Sequence, residues 1–162
     1  MRSIATGRLA LAGLVIGATA VLASPSFAQA TGANIWAKGG CADCHGNLAA
    51  GDGDPAYPQG PNLRRTALQR AELREVIACG RPGTDMPYHV VDAYTAGTPC
   101  FGITAGVPPA TRKAGALAAP DLDTLVDFLL TSVKGQTRIT RANCALFNGG
   151  DLDAPACAEF PR

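Results

Sequence analysis

The stretch Cys41-Ala42-Asp43-Cys44-His45 places two thiols three residues apart and an imidazole directly after the second thiol. On one tight turn, two thiolates at this spacing can add to the two vinyl groups on one edge of a porphyrin. The same turn carries His45 beneath the iron as a proximal ligand. The stretch therefore predicts covalent attachment of one c-type haem through Cys41 and Cys44, with His45 bound to the iron.

Two other uses of a C-x-x-C pair stay open at this point. A zinc site needs two further ligands at comparable spacing, and the sequence has no second cluster of that kind. A thioredoxin-type redox dithiol needs a βαβ setting, which is not visible around Cys41 and Cys44. No other arrangement of these residues explains His45 as well, so haem attachment is favoured.

The N-terminus has the pattern of a secretory signal peptide. Arg2 and Arg8 form a positive region, residues 9–22 are an apolar run without a charge, and small residues follow as far as Ala28. The run is shorter than the ~20 apolar residues of a membrane span, so cleavage is favoured over an uncleaved anchor. We expect an exported, periplasmic protein, which agrees with haem attachment outside the inner membrane.

Without its first 28 residues, the chain has the size of one small domain with balanced charge. Of the 162 residues 134 remain, enough for one modest core, and 12 Lys and Arg face 13 Asp and Glu. This balance gives no reason to expect a nucleic-acid partner. The full chain has 19 glycines, 12 prolines and only 6% aromatic residues, which predicts short helices and long loops around a large apolar ligand.

Two helices are predicted in the first half of this domain. Residues 32–38 form a short helix that ends at Gly39, with Trp36 either in the core or against the haem. A capping-box pattern at Thr66 opens a second helix, which ends at Gly80. The apolar positions on the inward face of the second helix are Leu73, Val76 and Ile77.

A third helix is predicted near the end of the domain. It begins with Asp121 as its cap, ends at Gly135, and is expected to cross the first helix. Its apolar face consists of Leu122, Leu125, Val126, Leu129 and Val133. Residues 46–60 and 88–120 have no clear apolar period and are predicted to be loops.

The loop after the second helix carries the residue predicted to bind the iron on its other side. It reads Arg81-Pro82-Gly83-Thr84-Asp85-Met86-Pro87, and Met86 is the only methionine besides Met1. A loop braced by proline and glycine presents a soft thioether, with no helical or strand period that would bury it. Met86 is therefore favoured as the distal ligand. His89, the only other imidazole, and an open iron position are the alternatives.

Four cysteines remain outside the C-x-x-C pair. An even number in an exported chain predicts two disulfides, and three connectivities are possible. We favour Cys79 with Cys100, which would close the Met86 loop, and Cys144 with Cys157, which would hold the tail after the last helix. The alternative is that one pair stays reduced.

Five arginines, Arg64, Arg65, Arg70, Arg74 and Arg81, form a local basic cluster. Because both signs of charge are interspersed elsewhere, docking by a ring of lysines is not supported. We interpret the arginines as a solvated helix face with Glu72 and Glu75 as partners three or four residues away. The alternative is that Arg81 or a neighbour pairs with a haem propionate or an acidic partner.

Together these features resemble a monohaem class I cytochrome c. The resemblance covers about residues 32–133 and rests on Cys41-Ala42-Asp43-Cys44-His45-Gly46, Gly60-Pro61-Asn62-Leu63, Met86-Pro87 and the closing helix, in that order. It implies an all-α fold of about three to four helices around one covalent haem, with long loops and a C-terminal extension. In that family the carbonyl of the proline matching Pro61 accepts a hydrogen bond from the proximal imidazole. The residue matching Met86 is the second axial ligand.

The resemblance also predicts the parts of the chain, and the chain departs from the family in three places. The expected parts are a cleaved signal peptide at 1–28, a cytochrome c domain at 29–134, and an extension at 135–162 packed on or tethered to that domain. Trp36 lies one residue further from Cys41 than the family's usual aromatic residue. The connection over residues 88–120 is long and holds a cysteine, and the tail after the closing helix is an addition.

The resemblance implies a periplasmic one-electron carrier rather than an enzyme. With His45 and Met86 both on the iron, no position remains for a substrate, and Met/His ligation raises the potential. The expected partners are redox proteins: a periplasmic dehydrogenase or respiratory complex as donor and a terminal oxidase as acceptor. They would touch the haem edge near Cys41 and Cys44 in a small, transient interface. We expect a monomer that meets a membrane only through its partners.

Two other functions stay open. The chain can be the haem subunit of a periplasmic redox enzyme of the dehydrogenase, peroxidase or sulfur-oxidising type, with an iron position that is open or opens when Met86 leaves. Residues 88–120 would then shape a pocket or bind a catalytic subunit. A haem-based redox or gas sensor is the weaker idea, because the 134 residues left after cleavage give no room for an output domain.

Overall fold

The computed structural model describes residues 26–115 and 117–162, with side chains from Thr31 onward. The described residues contain the helices α1 (Ser26–Lys38), α2 (Cys41–His45), α3 (Arg70–Cys79), α4 (Ala119–Phe128) and α5 (Arg141–Phe147). A π-helical turn, Leu129–Val133, continues α4, and 3₁₀ turns lie at Leu63–Arg65 and Pro155–Cys157. These residues include isolated bridges but no β-strand. The predicted all-α class is confirmed, and the short helices α2 and α5 bring the number above the expected three to four.

The predicted signal peptide, residues 1–28, lies almost entirely outside the described part of the chain. Cleavage after Ala28 would remove the first three residues of α1 and would leave Ala33, Ile35 and Trp36, which are buried, in place. No helix among the described residues is long and apolar enough to cross a membrane.

Helices α1 and α4 pack directly against each other in the core, as expected for the first and last predicted helices. Gly32 allows this close approach, because a Cβ atom built on it would lie 2.7 Å from Cγ of Phe128. Helix α3 also packs against α4. The larger buried side chains of this core are Ile35, Trp36, Leu73, Ile77, Tyr94, Leu117, Leu122, Leu125, Val126, Phe128, Leu129 and Val133.

Three helices begin at residues other than those predicted. Helix α1 begins at Ser26, six residues before the predicted start at residue 32. Helix α3 starts after Gln69, not at Thr66, because the Glu72 carboxylate accepts from the Gln69 backbone N–H at 2.7 Å and completes a capping box. Asp121 lies inside the first turn of α4 instead of capping it. The reason is Pro120, whose fixed φ suits the first helical turn and lets the helix begin earlier.

Two arginines of α3 bind α4, which corrects their interpretation as a solvated helix face. Arg70 pairs with Asp127, and Nε of Arg74 lies 2.8 Å from Oδ1 of Asp123. All four side chains are about half exposed, so each pair contributes on the order of 0–1 kcal/mol. The expected glutamate partners act elsewhere, one in the α3 cap and one on the loop that holds Cys100.

Arg64 is buried rather than solvated, with only 1% of its surface exposed. Its Nε donates to the carbonyl of Leu48 at 2.7 Å and its Nη1 to that of Gln136 at 2.9 Å. Its own carbonyl accepts from Gly135 N–H at 2.9 Å. Burial lowers the pKa of the guanidinium, and nearby Asp52 acts in the opposite direction. Arg64 therefore joins the loop after α2 to the chain that leaves the π-helical turn.

The four remaining cysteines form the two disulfides that were favoured from the sequence. Cys79–Cys100 joins the end of α3 to the loop beyond Met86. Cys144–Cys157 joins α5 to the last 3₁₀ turn. On the chain-entropy model, closing loops of this length stabilises the fold by roughly 3 kcal/mol each. Each cross-link thus holds a segment that has few helical hydrogen bonds of its own.

The C-terminal extension packs on the domain through α5. The ring of Phe147 meets Trp36 edge-on at a centroid distance of 6.1 Å and Phe128 at 5.1 Å. The backbone N–H of Arg141 donates to the carbonyl of Pro161 at 2.8 Å, which closes the tail on the start of α5. The extension therefore covers one side of the α1–α4 pair.

Replacing Gly32 with valine should lower the free energy of unfolding by about 1–3 kcal/mol, because the new side chain would overlap Phe128. Chemical denaturation followed by circular dichroism measures this. Gly97→Ala is the matched control, since a Cβ there meets nothing closer than 3.8 Å, and it should change stability by less than ~0.5 kcal/mol. Equal stability of Gly32→Val and wild type would contradict the close helix contact.

Arg64→Lys should cost about 2–3 kcal/mol of unfolding free energy, because an ammonium group lacks the planar fork that serves Leu48 and Gln136 together. The exposed neighbour provides the control: Arg65→Lys should stay within ~0.5 kcal/mol of wild type. Thermal and urea unfolding of the two variants measure the difference. If both substitutions cost the same, the buried guanidinium does not join these two segments.

Candidate functional site

Helix α2 carries the predicted haem-binding turn, and the loop that follows binds its C-terminal carbonyls. Gly40 precedes the helix in the left-handed region, with φ of 67°. The N–H groups of Asp54, Gly60 and Gly51 each donate at 2.8 Å, in that order, to the carbonyls of Asp43, Cys44 and His45. These bonds satisfy carbonyls that a helix end leaves without partners. A helix of only five residues is thereby held in one position.

The ring of His45 is fixed by the Gly60-Pro61 segment. Its Nδ1 lies 2.9 Å from the carbonyl oxygen of Pro61, the contact that the family resemblance implied. Because a carbonyl only accepts, Nδ1 carries the proton and Nε2 keeps a free lone pair. A Cβ on Gly60 would lie 2.6 Å from Nδ1, so only glycine leaves room for the ring. Burial lowers the pKa of His45, and the bond to Pro61 opposes that shift.

A cavity of about 850 Å³ lies between α2, α3, α4 and the Met86 loop. The five predicted cofactor-binding residues, Cys41, Cys44, His45, Pro61 and Met86, all line it. Much of the remaining wall is apolar and includes Trp36, Leu63, Leu68, Leu73, Val76, Ile77, Leu125 and Leu129. Trp36 is therefore both a core residue and part of the cavity wall. The volume lies in the range of ~300–1,000 Å³ that is common for cofactor sites.

Met86 is held at the cavity by a loop with its own hydrogen bonds. Its carbonyl accepts from Arg81 N–H at 3.1 Å, and its N–H donates to Oγ1 of Thr84 at 3.2 Å. Gly80, with φ of 67°, lets the loop fold back, because a Cβ there would lie 2.7 Å from the Met86 carbonyl oxygen. The loop after α3 thus brings Met86 to the cavity, as the sequence predicted for a braced loop.

The long connection after Met86 forms another wall of the cavity. The N–H of Tyr88 donates to the carbonyl of Arg112 at 2.9 Å, and the N–H of Ala114 donates to that of Tyr88 at the same distance. The side chain of Arg112 pairs with Asp85 at 3.0 Å. The described residues of this connection, 88–115 with 117 and 118, contain no helix, as predicted for a loop, yet the chain around Arg112 lines the site.

His89 is a second imidazole on the cavity wall. Only 4% of its surface is exposed, and its Nδ1 has no hydrogen-bond partner in the described part of the chain. Burial lowers the pKa of His89, and nearby His45 adds to the effect. Both candidates for the distal position, Met86 and His89, therefore reach the same cavity as His45.

The thiols of Cys41 and Cys44 are unlike those of a redox dithiol. Burial raises the pKa of Cys41 to about 12 and raises the pKa of Cys44, and Asp43 adds to both shifts. Redox dithiols have a thiol with a lowered pKa. As for the zinc alternative, the described residues contain no group of three His, Cys, Asp or Glu side chains that could hold a metal ion.

Charged side chains also line the cavity. The cations are Lys38, Arg81, Arg112 and Lys113, and the carboxylates are Asp43 and Asp85. This excess of cations suits a ligand that carries carboxylate groups, because charge-assisted hydrogen bonds to carboxylates are strong. The sequence pointed to Arg81 or a neighbour for such a role, and the structure adds Arg112 and Lys113.

Sequence reasoning missed two contributors to this site. One is the close approach of Gly60 to the His45 ring, for which the Gly-Pro pair beside the predicted carbonyl acceptor was the available signal. The other is the segment 112–115, which reaches the cavity through its pairing with Tyr88. No local pattern marks that segment, because its role depends on a contact between residues far apart in the chain.

A comparison of this chain with known family models, curated proteins and solved structures found no match. Four features of the chain itself therefore indicate its function: the C-x-x-C-H turn, the fixed imidazole, the thioether loop and the cavity that they share.

Gly60→Ala should displace the His45 ring, break its bond to Pro61 and cost about 1–3 kcal/mol of stability. Denaturation gives the stability, and nitrogen NMR of the imidazole reports whether Nδ1 still donates. Gly115→Ala is the control on the same cavity, because a Cβ there meets nothing within 4 Å. An unchanged ring spectrum in Gly60→Ala would contradict the predicted displacement.

Proposed function

We propose that this chain is a c-type cytochrome, similar to monohaem class I cytochromes c, and that it carries one haem in the cavity beside α2. The proposal rests above all on one observation: Cys41, Cys44, His45 and Met86 line the same cavity of about 850 Å³. The largely apolar wall suits a porphyrin plane, and the cations at the cavity suit its propionates. The donors present on the chain therefore fit this cofactor.

The two thiols would make the covalent attachment. Each of Cys41 and Cys44 would add its S–H group across a vinyl double bond, so that a carbon–sulfur bond would form and the hydrogen would go to the other vinyl carbon, without net oxidation. Both residues lie on the single turn of α2 and line the same cavity. A fixed turn favours the reaction because it presents the two sulfur atoms together.

His45 and Met86 are the residues that would bind the iron, since both line the cavity. The Pro61 carbonyl orients His45 and raises its strength as a donor, because Nδ1–H is already bonded and Nε2 is free. The Met86 loop presents the softer thioether. Haem with such ligands supplies reversible one-electron chemistry at a relatively high potential.

A one-electron carrier is the role that this ligand set supports best. Two protein ligands leave no iron position for a substrate, so we infer electron transfer rather than catalysis. In agreement with the N-terminal signal pattern, the carrier would work in the periplasm as a monomer. A periplasmic dehydrogenase or respiratory complex would supply electrons, and a terminal oxidase would accept them. Contact near Cys41 and Cys44 would be small and transient.

A second candidate is the haem subunit of a periplasmic redox enzyme. It is favoured by one observation: the segment around Arg112 lines the cavity and is paired with the chain directly after Met86. Movement of this disulfide-bearing connection would move the Met86 loop with it and free the iron position. This function predicts that carbon monoxide binds to the reduced wild-type protein.

The first test is haem attachment in an oxidising compartment with haem supplied. Wild type should retain haem on a denaturing gel, and Cys41→Ser/Cys44→Ser should lose it. Cys144→Ser/Cys157→Ser is the matched control, which removes two cysteines of the extension but should keep the haem. Loss of covalent haem in wild type as well would overturn the proposal.

The absorption spectrum then separates carrier from enzyme. A carrier should show sharp low-spin bands, the weak far-red band of ferric iron bound to thioether sulfur, and no reaction with carbon monoxide. A high-spin spectrum or rapid carbon monoxide binding would instead favour the enzyme subunit. Both measurements use the same purified protein.

A further inference from the structure

His89 has a buried side chain that the proposed ligand set leaves without a role. It lines the cavity, 4% of its surface is exposed, and Nδ1 has no partner within the described residues. Buried polar groups are nearly always hydrogen-bonded, and an unpaired one costs about 1–3 kcal/mol. An imidazole in this position therefore calls for a binding partner that enters the cavity.

The backbone at His89 is anchored independently of the Met86 loop. Its N–H donates to the carbonyl of Ala78 in the last turn of α3 at 3.1 Å, and its carbonyl accepts from Leu117 N–H at 2.7 Å. The adjacent Cys79–Cys100 disulfide holds the same end of α3. Met86, by contrast, is held by hydrogen bonds to Arg81 and Thr84 of an exposed loop, and this loop is tied to the long connection by the exposed ion pair between Asp85 and Arg112. Opening of that loop would leave His89 where it is.

The two imidazoles of the cavity differ in the hydrogen bonding of the ring nitrogen that would not bind the iron. His45 donates from Nδ1 to Pro61, which raises its strength as a ligand. Neither ring nitrogen of His89 forms a hydrogen bond to an acceptor within the described residues, so its donor strength is not raised in this way. Burial also favours its neutral form, which is the form that binds a metal. This difference makes His45 the permanent ligand and His89 the weaker one.

We propose that His89 is a reserve axial ligand, which takes the sixth iron position when the Met86 thioether leaves. The inference rests on the proposed haem site. In the exchange, the iron–sulfur bond breaks and a bond from iron to an imidazole nitrogen forms, with no change in the number of electrons. The iron stays closed to small ligands, and its potential falls because imidazole replaces the thioether.

The test compares three variants of the protein with attached haem: Met86→Ala, Met86→Ala/His89→Leu, and the control Met86→Ala/Val90→Ala. Val90 is the neighbour of His89 and is outside the cavity lining. Met86→Ala and the control should stay low-spin, without the far-red thioether band, and bind carbon monoxide at least about tenfold more weakly than the His89→Leu double variant. The double variant should be high-spin, and added imidazole should return it to low spin.

The midpoint potential gives a second readout. It should fall from wild type to Met86→Ala, whereas His89→Leu alone should keep the thioether band and a potential close to wild type. A high-spin Met86→Ala that binds carbon monoxide as tightly as the double variant would overturn the reserve role and leave the haem site standing. A wild type that already has two imidazoles on the iron would also overturn it. Absence of covalent haem in wild type would instead refute the proposed function.

Discussion

The hydrogen bond between Nδ1 of His45 and the carbonyl of Pro61 is the contact on which the site depends. It fixes the tautomer, turns the free nitrogen of the ring away from Pro61, and requires Gly60 to have no side chain. The same loop binds the carbonyls at the end of α2, so the short helix and the ring are held by one segment. A five-residue helix could not keep two thiols and an imidazole in place by its own hydrogen bonds.

The elements around the cavity are joined to one another by contacts outside it. Gly32 and Phe128 bring α1 and α4 into close contact, and Arg64 joins the loop after α2 to the end of the π-helical turn. The Cys79–Cys100 disulfide and the ion pairs between α3 and α4 hold helix α3. These contacts set the positions of the residues that line the cavity.

The proposed reserve ligand follows from a difference in how two residues of the cavity are held. The backbone of His89 is bonded to the end of α3 and to Leu117, whereas Met86 lies in a loop whose bonds are mostly internal. A ligand on a loop can leave at low cost, because only local contacts are lost. A second imidazole behind it would keep the iron closed and change its potential. The same covalent haem would then have two ligand sets, each with its own reduction potential.

The sequence by itself determined the local features. The apolar faces of α3 and α4 and the favoured pairing of the other four cysteines are confirmed, because each depends on residues close in the chain or on a strong period. The binding of haem by Cys41, Cys44 and His45 stays a prediction. The start of α3 was misplaced by a few residues, because two capping patterns competed at Thr66 and Gln69.

Only the tertiary structure decided the burial of Arg64, the contact at Gly32, the position of His89 on the cavity wall and the role of residues 112–115. Each of these depends on which distant segments pack together, and no local pattern of residue types contains that information.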